Sequence, residues 1–273
     1  GVGAGVGWLG SVGLYAIFAL IGRRHGGPRL RVSQALGIAA ISYAFNLSLG
    51  AWVGSLALRL RLYTRWGLLP VPTVVQIVAH SIVTNWLGYL WVGGAVLLWA
   101  PPTLAQNGLL SADWLRAIGL VMVGVALAYL ALCQGAPKRQ LTWRGHRLVL
   151  ASGRLAAWQA AVGGANWLLI GAIVWGLLGG RVDYATVLGV MLLAAVAGVV
   201  THVPANLGVL EAIVVASLST QVPKPELLAV VLTYRATYYL LPFLLALPAY
   251  ALSEASTRRS DRGKGCSKEA PPI

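Results

Sequence analysis

Runs of about 20 apolar residues recur along this chain, parted by short basic segments, and no other feature narrows its fold so far. A helix rises about 1.5 Å per residue, so about 20 residues cross the roughly 30 Å hydrocarbon core of a bilayer. The expected fold is all-α, a polytopic integral membrane protein. Composition agrees: the 273 residues are 58% hydrophobic and 10% charged, against about 25% charged in a soluble globule. Lys and Arg number 21 against seven Asp and Glu, for a formal charge of +14. In a soluble protein that excess would point to nucleic acid, but there is no soluble basic domain to carry it, so no nucleic-acid partner is expected. The basic residues sit between the apolar runs instead, as the positive-inside bias and the anionic cytoplasmic leaflet favour. Cys133 and Cys266 lack a CxxC or a His cluster around them. Neither a disulfide framework, nor a metal site, nor any cofactor is expected.

Charge then orders the segments. Residues 2–22 form a first span whose Gly3, Gly7 and Gly10 suit close helix packing. The chain starts at Gly1 without a methionine, which leaves room for an upstream segment. A cleaved signal peptide fits residues 2–22 poorly, because their basic flank follows rather than precedes them. Arg23, Arg24, Arg29 and Arg31 place the next loop in the cytoplasm, and Arg59, Arg61 and Arg65 do the same after residues 34–58. A segment with both flanks inside cannot cross. Asn46, Ser48 and Gly50 supply a polar break in NLSLG, leaving legs of about 12 and 9 residues, each too short to span. Residues 34–58 are therefore expected to form a re-entrant hairpin entering from the cytoplasm.

Residues 71–99 make a long span in which Gln76, His80, Ser81, Thr84 and Asn85 fall near one helical stripe, facing protein or a cavity. The loop 100–113 has no Lys or Arg and belongs outside. Residues 114–133 return to a basic loop holding Lys138, Arg139, Arg144, Arg147 and Arg154, with Trp143 as an interfacial anchor. Residues 155–178 run outward to a turn at Gly179, Gly180, Arg181 and Asp183. The next apolar run is interrupted by THVPANLGVLEA, residues 201–212. Pro204 and Gly208 break a helix, while His202, Asn206 and Glu211 are polar or ionisable. At membrane depth such a break survives only where it is buried in protein or lines a cavity. The leg after it is only about 12 residues, so 184–220 reads as a second hairpin, entering from outside. Residues 226–252 close the set and lead to a basic, disordered cytoplasmic tail, 254–273.

Five full spans and two re-entrant hairpins result, within one domain covering 1–253. Its half A (1–99) and half B (155–253) follow the plan of an inverted repeat about a connector, 100–154, and broken helices in matching places point to a transport site. Conventional spans over 34–58 and 184–220 are the alternative.

Several polar residues compete for a role. The helix starting at Val209 leaves amides unpaired near Asn206 and Gly208, where an anion is favoured. Glu211 lies in its first turn, where helping the helix dipole is one explanation. The other is a buried partner, and Arg235 in the last span, with Tyr234, Tyr238 and Tyr239 around it, is the candidate, since a guanidinium in lipid is costly to leave unpaired. A lipid phosphate suits the same guanidinium. His80 and His202 fit structural hydrogen bonding, with proton coupling as the alternative. Arg59 and Arg61 fit either topology anchoring or the collection of anionic headgroups. No phosphate loop, nucleophile elbow or acid pair is present, so catalysis is not expected.

THVPANLGVLEAIVVASL and TYRATYYLLPF resemble the second-half signature of the lysylphosphatidylglycerol synthase membrane-domain family, which takes in the MprF flippase domain and YbhN-like proteins. FNLSLGAWVGSLALRLRLYTRWGL, Phe45 to Leu68, resembles its first-half motif, nearest the YbhN-like branch. The resemblance implies a bacterial inner-membrane protein that moves phospholipid between leaflets. By motif it carries over Asn46, Gly50, Arg61, Pro204, Asn206, Gly208, Glu211 and Arg235. Many relatives have a Pro-Gly pair and a carboxylate in the first-half motif; Leu49, Gly50 and Val53 stand there here, which argues against a two-acid site. Lysyl-lipid synthesis in the family belongs to a soluble domain, for which the sequence after Leu252 is too short.

The function expected is a phospholipid flippase for anionic or zwitterionic lipid, passive or ion-coupled because no ATP-binding motif is present; the alternative is a scaffold or partner subunit of a lipid-modifying enzyme. Its expected partners are phospholipids and the membrane, with a second copy or a lipid-synthesis enzyme as candidates. Expected substrate-contacting residues are Asn46, Gly50, Arg59, Arg61, His80, Asn85, His202, Pro204, Asn206, Gly208, Glu211, Tyr234, Arg235 and Tyr238.

Overall fold

The computed structural model describes residues 32–49, 56–65, 71–99, 111–135, 140–143 and 146–252. Residues 2–22, Gly50 and the tail lie outside that set. The elements are α1 (Val32–Leu49), α2 (Leu58–Arg65), α3 (Val71–Trp99), α4 (Ala112–Gly135), β1 (Gln140–Trp143), β2 (His146–Val149), α5 (Gly153–Leu177), α6 (Tyr184–Thr201), α7 (Val209–Leu218) and α8 (Lys224–Leu252). The protein is thus an all-α membrane fold, relieved among the described residues only by a short antiparallel β1–β2 hairpin in the basic loop.

Among the described residues five helices are long and apolar enough to cross a membrane. Four are the spans expected at 71–99, 114–133, 155–178 and 226–252. The fifth is α6, expected as one leg of a hairpin; its 18 residues reach about 27 Å, close to a full crossing. Helix α7, with 10 residues, reaches about 15 Å. The helix before the break is therefore long and the one after it short.

Within residues 34–58, expected as the first hairpin, the helix limits differ from expectation. Helix α1 runs unbroken through Asn46 and Ser48, because either residue costs a helix at most about 0.7 kcal/mol relative to Ala. Any interruption falls within residues 50–55, outside those described. Arg59 and Arg61, expected in a loop, stand on α2.

Close crossings fix the frame. A Cβ on Gly88 would lie 2.1 Å from the Gly163 carbonyl carbon, so α3 and α5 meet backbone to backbone. Trp91 and Trp167 donate from their indole nitrogens to Ala160 O (2.9 Å) and Asn85 O (3.2 Å), tying the same two helices. Helix α4 packs on α3 through Gly94 and Gly119 but exposes Leu120, Val121, Val125, Leu127 and Leu132, as a lipid-facing helix does. The largest core joins α5 to α8 around Leu178, Leu188, Leu210, Val214, Leu218 and Leu227, and a smaller one joins α1, α2 and α3 to Ala246 of α8.

The α5–α6 turn follows its sequence. Gly179 and Gly180 take φ of 65° and 71°, Asp183 caps α6 through the Thr186 amide, and Arg181 pairs with Glu226 at the start of α8. That carboxylate raises the Arg181 guanidinium above its ordinary value.

Candidate functional site

Helix α6 ends at His202, which takes the left-handed region at φ 54°, and Ala205, Asn206 and Gly208 follow with φ of 53°, 55° and 78°. Only glycine adopts that region without cost; for the others it costs about 1–3 kcal/mol each and persists where the surroundings enforce it. Arg235 is the enforcer. Its guanidinium grips Glu211 through Nε and Nη2 (Nη2 to Oε2, 3.1 Å), and donates to Ala205 O (Nη1, 2.8 Å) and Asn206 O (Nη2, 2.6 Å). The pair anticipated from the sequence forms, and it also answers two carbonyls freed by the break. Asn206 adds a second tie, its Nδ2 donating to Ala194 O at 2.9 Å. The break folds back onto α6 at Gly198, where a Cβ would lie 2.5 Å from Asn206 Cγ.

After Arg235 the last helix widens into a π turn, Ala236–Leu240, with the Leu241 amide bonded to Ala236 O. Thr233 and Thr237 bond back to the carbonyls of Ala229 and Thr233, which eases such a distortion. The wide turn gathers Tyr234, Tyr238 and Tyr239. Tyr234 and Tyr238 stack at 5.3 Å, and Tyr239 lies 5.7 Å from the Arg235 guanidinium carbon. Tyr238 then bonds Tyr43 of α1, hydroxyl to hydroxyl, at 2.7 Å.

Beside these tyrosines lies a cavity of about 420 Å³, walled by parts of α1, α2, α3, α5, α6, the break, α7 and α8. Tyr43, Trp86, Trp167, Ile170 and Met191 make its wall largely apolar, and Asn46, Asn85, Asn166, Ser81 and Arg59 bring polar groups to it. Arg59 is 5% exposed, and its Nη1 donates to Ser81 Oγ at 2.9 Å. Ser81 spends its own proton on Ile77 O at 2.8 Å. Asn46 Oδ1 is buried and accepts no hydrogen bond among the described residues.

Of the residues singled out in the sequence, Asn46, Arg59, Asn85, Asn206, Tyr234 and Tyr238 line this cavity. Glu211 and Arg235 stand behind it as the clasp, with Gly208 at the start of α7. His202 is exposed, its Nδ1 3.0 Å from Val200 O. Pro204 begins a short 3-10 turn, and Arg61 lies on the exposed face of α2. His80 sits apart, beside fully buried Gln159: Nε2 of Gln159 is 3.3 Å from His80 Nδ1, and Tyr129 donates to Gln159 Oε1. Gly50 is outside the described residues. Sequence reasoning missed Tyr43, Trp86, Asn166 and Trp167. Asn166 was findable as a buried amide in an apolar helix; Tyr43 meets Tyr238 across 195 residues, which no local pattern shows.

No family model matches the chain. It is 28% identical to an uncharacterized protein of Synechocystis over 86% of its length and 74% of that protein's. A segment of 97 residues is 28% identical to a phosphatidylglycerol lysyltransferase of Staphylococcus xylosus, covering 34% of this chain and 12% of the enzyme. The inner membrane protein YbhN of Escherichia coli matches at 39% identity over 247 residues, 90% of this chain and 77% of YbhN. An identity of that level and extent, joined by the shorter match to the lysyltransferase, places the chain: it belongs to the YbhN-like branch of the lysylphosphatidylglycerol synthase membrane-domain family.

Proposed function

We propose that this protein moves phospholipid between the leaflets of the inner membrane, taking the headgroup into the cavity beside the broken α6–α7 segment. The observation that carries the reading is the cavity's makeup: four amides, those of Asn46, Asn85, Asn166 and Asn206, and a buried guanidinium within an aromatic and aliphatic wall. A headgroup in transit needs polar partners at a depth where lipid supplies none. The contact of α1 with both the break and the π turn supports the two-half plan, with 34–58 and 184–220 as re-entrant hairpins and the basic loops on the cytoplasmic side. The match to part of a phosphatidylglycerol lysyltransferase supports a lipid-related role. We read the chain as a transporter rather than an enzyme.

The test is leaflet exchange of labelled phospholipid by purified protein in proteoliposomes. Exchange well above protein-free vesicles is expected. Exchange equal to those vesicles, with the protein folded, would turn the reading to a scaffold for a lipid-modifying partner.

A further inference from the structure

We infer that His80 is a proton-binding site read by the Gln159 amide, and that the proton is the ion to which lipid movement is coupled. This rests on the transport reading and names its driving ion.

His80 of α3, Tyr129 of α4 and Gln159 of α5 form a polar cluster, and none of the three lines the cavity. Gln159 is fully buried. Its Nε2 lies 3.3 Å from His80 O and 3.3 Å from His80 Nδ1, while its Oε1 accepts from Tyr129 at 3.1 Å. A backbone carbonyl only accepts, so the amide turns its N–H edge to His80. His80 Nδ1 therefore accepts as well, which puts the ring proton of the neutral imidazole on Nε2. A proton taken from water at Nδ1 makes that nitrogen a donor and sets N–H against N–H. With Gln159 enclosed, the amide answers by turning over: Oε1 goes to the imidazolium, Nε2 goes to the Tyr129 oxygen, and the bond to His80 O is lost. His80 itself is only partly buried, as a site that exchanges protons with water requires.

The neighbours of the ring suit a proton that comes and goes. Tyr129 and Cys133 are the ionisable groups of α4 at the cluster, and α5 brings the neutral Gln159. Arg59 of α2 bonds Ser81, the next residue along α3, and α6 meets α3 through Leu192 at Gly93. The described acids are placed elsewhere: Glu211 on Arg235, Glu226 on Arg181, Asp183 at the cap of α6 and Asp113 beside Arg116. Among the described residues no carboxylate holds an imidazolium at His80, so the proton is released as readily as turnover demands. The cluster also has leverage. A Cβ on Gly163 would lie 2.1 Å from Thr84 O, so α3 and α5 touch backbone to backbone one turn beyond His80. The same two helices carry Ser81, Asn85 and Asn166 of the cavity wall. At so close a contact, a turned amide shifts the helices rather than being absorbed between them.

The experiment measures exchange of labelled phosphatidylglycerol in proteoliposomes from about pH 8 to about pH 5, the range over which an imidazole titrates. The ring nitrogens of the four histidines are followed in parallel by 15N NMR, with His80→Gln assigning the His80 signals. Wild-type exchange should rise by about tenfold on acidification, the scale of one hydrogen bond lost and remade. An imposed proton gradient should drive the label toward one leaflet, and a protonophore should abolish that drive. His80→Gln should lose both responses. Gln159→Glu offers the imidazolium a carboxylate and should move the midpoint up by about 1–3 pH units; it serves if His80→Gln does not fold. A flat wild-type profile, no drive by the gradient, or a response unmoved in both variants overturns the inference while leaving transport intact. Absence of exchange at every pH sinks the transport reading, and the NMR then decides the site alone. A neutral Nε2–H ring at about pH 8 that gains a second proton by about pH 5 supports it, and a His80 ring unchanged across that range overturns it.

Discussion

Arg235 and Arg59 are buried to nearly the same degree, yet they stand in different parts of the site. Arg235 is enclosed by a carboxylate and two backbone carbonyls, and those partners belong to the break between α6 and α7 and the first turn after it. Arg59 faces a cavity from a short helix, steadied by a hydroxyl. Arg235, matched by a carboxylate and two freed carbonyls, fastens the break, whereas Arg59 stands on the cavity wall with Ser81 as one of its partners. Burial alone separates the two poorly, because desolvation is the same problem with two solutions.

That contrast predicts a ranking of effects. Glu211→Gln leaves the Arg235 charge half-matched and should destabilise the folded protein most, by about 3–5 kcal/mol, read as a lowered melting temperature in detergent. An unchanged melting temperature would remove the clasp from the account. Arg59→Gln removes a guanidinium bonded to Ser81 on the cavity wall and should slow leaflet exchange of labelled phospholipid by about tenfold. Gly198→Ala drives a methyl into Asn206 and should cost about 1–3 kcal/mol, with a smaller penalty when Asn206→Ala is present, since the two sites share one contact. Tyr43→Phe deletes the hydroxyl contact to Tyr238, and the melt should fall by about 1 kcal/mol. Arg181→Gln, at an exposed pair, should have the smallest effect, fading as salt is raised.

How much of this was legible in the sequence depends on whether the signal was local. Apolar run length and the basic loops gave the helical membrane class, and Pro204 and Gly208 marked where α6 ends. Glu211 and Arg235 could be paired because each was an ionisable residue in apolar surroundings with few rivals. The continuity of α1 through Asn46 and Ser48 was misjudged, since polar side chains weaken a helix far less than a freed backbone does. The cavity was only half visible. Asn46, Asn85, Asn206 and Arg59 stood out against the apolar background and Asn166 was passed over, while Tyr43, Trp86 and Trp167 look like any membrane aromatics until the fold brings them together. The π turn after Arg235 had no sequence signature beyond the two threonines that bond back along the helix. Arg59 was visible as a residue and ambiguous as a role, because topology anchoring and headgroup contact ask for the same side chain; only its burial beside Ser81 distinguishes it from exposed Arg61.

The most direct test is a structure of the protein in nanodiscs rich in phosphatidylglycerol. Headgroup density in the cavity, with the Glu211–Arg235 clasp closed behind it, is the predicted result. A cavity holding only acyl chains or water, or a phosphate seated on Arg235 with Glu211 displaced, would contradict it.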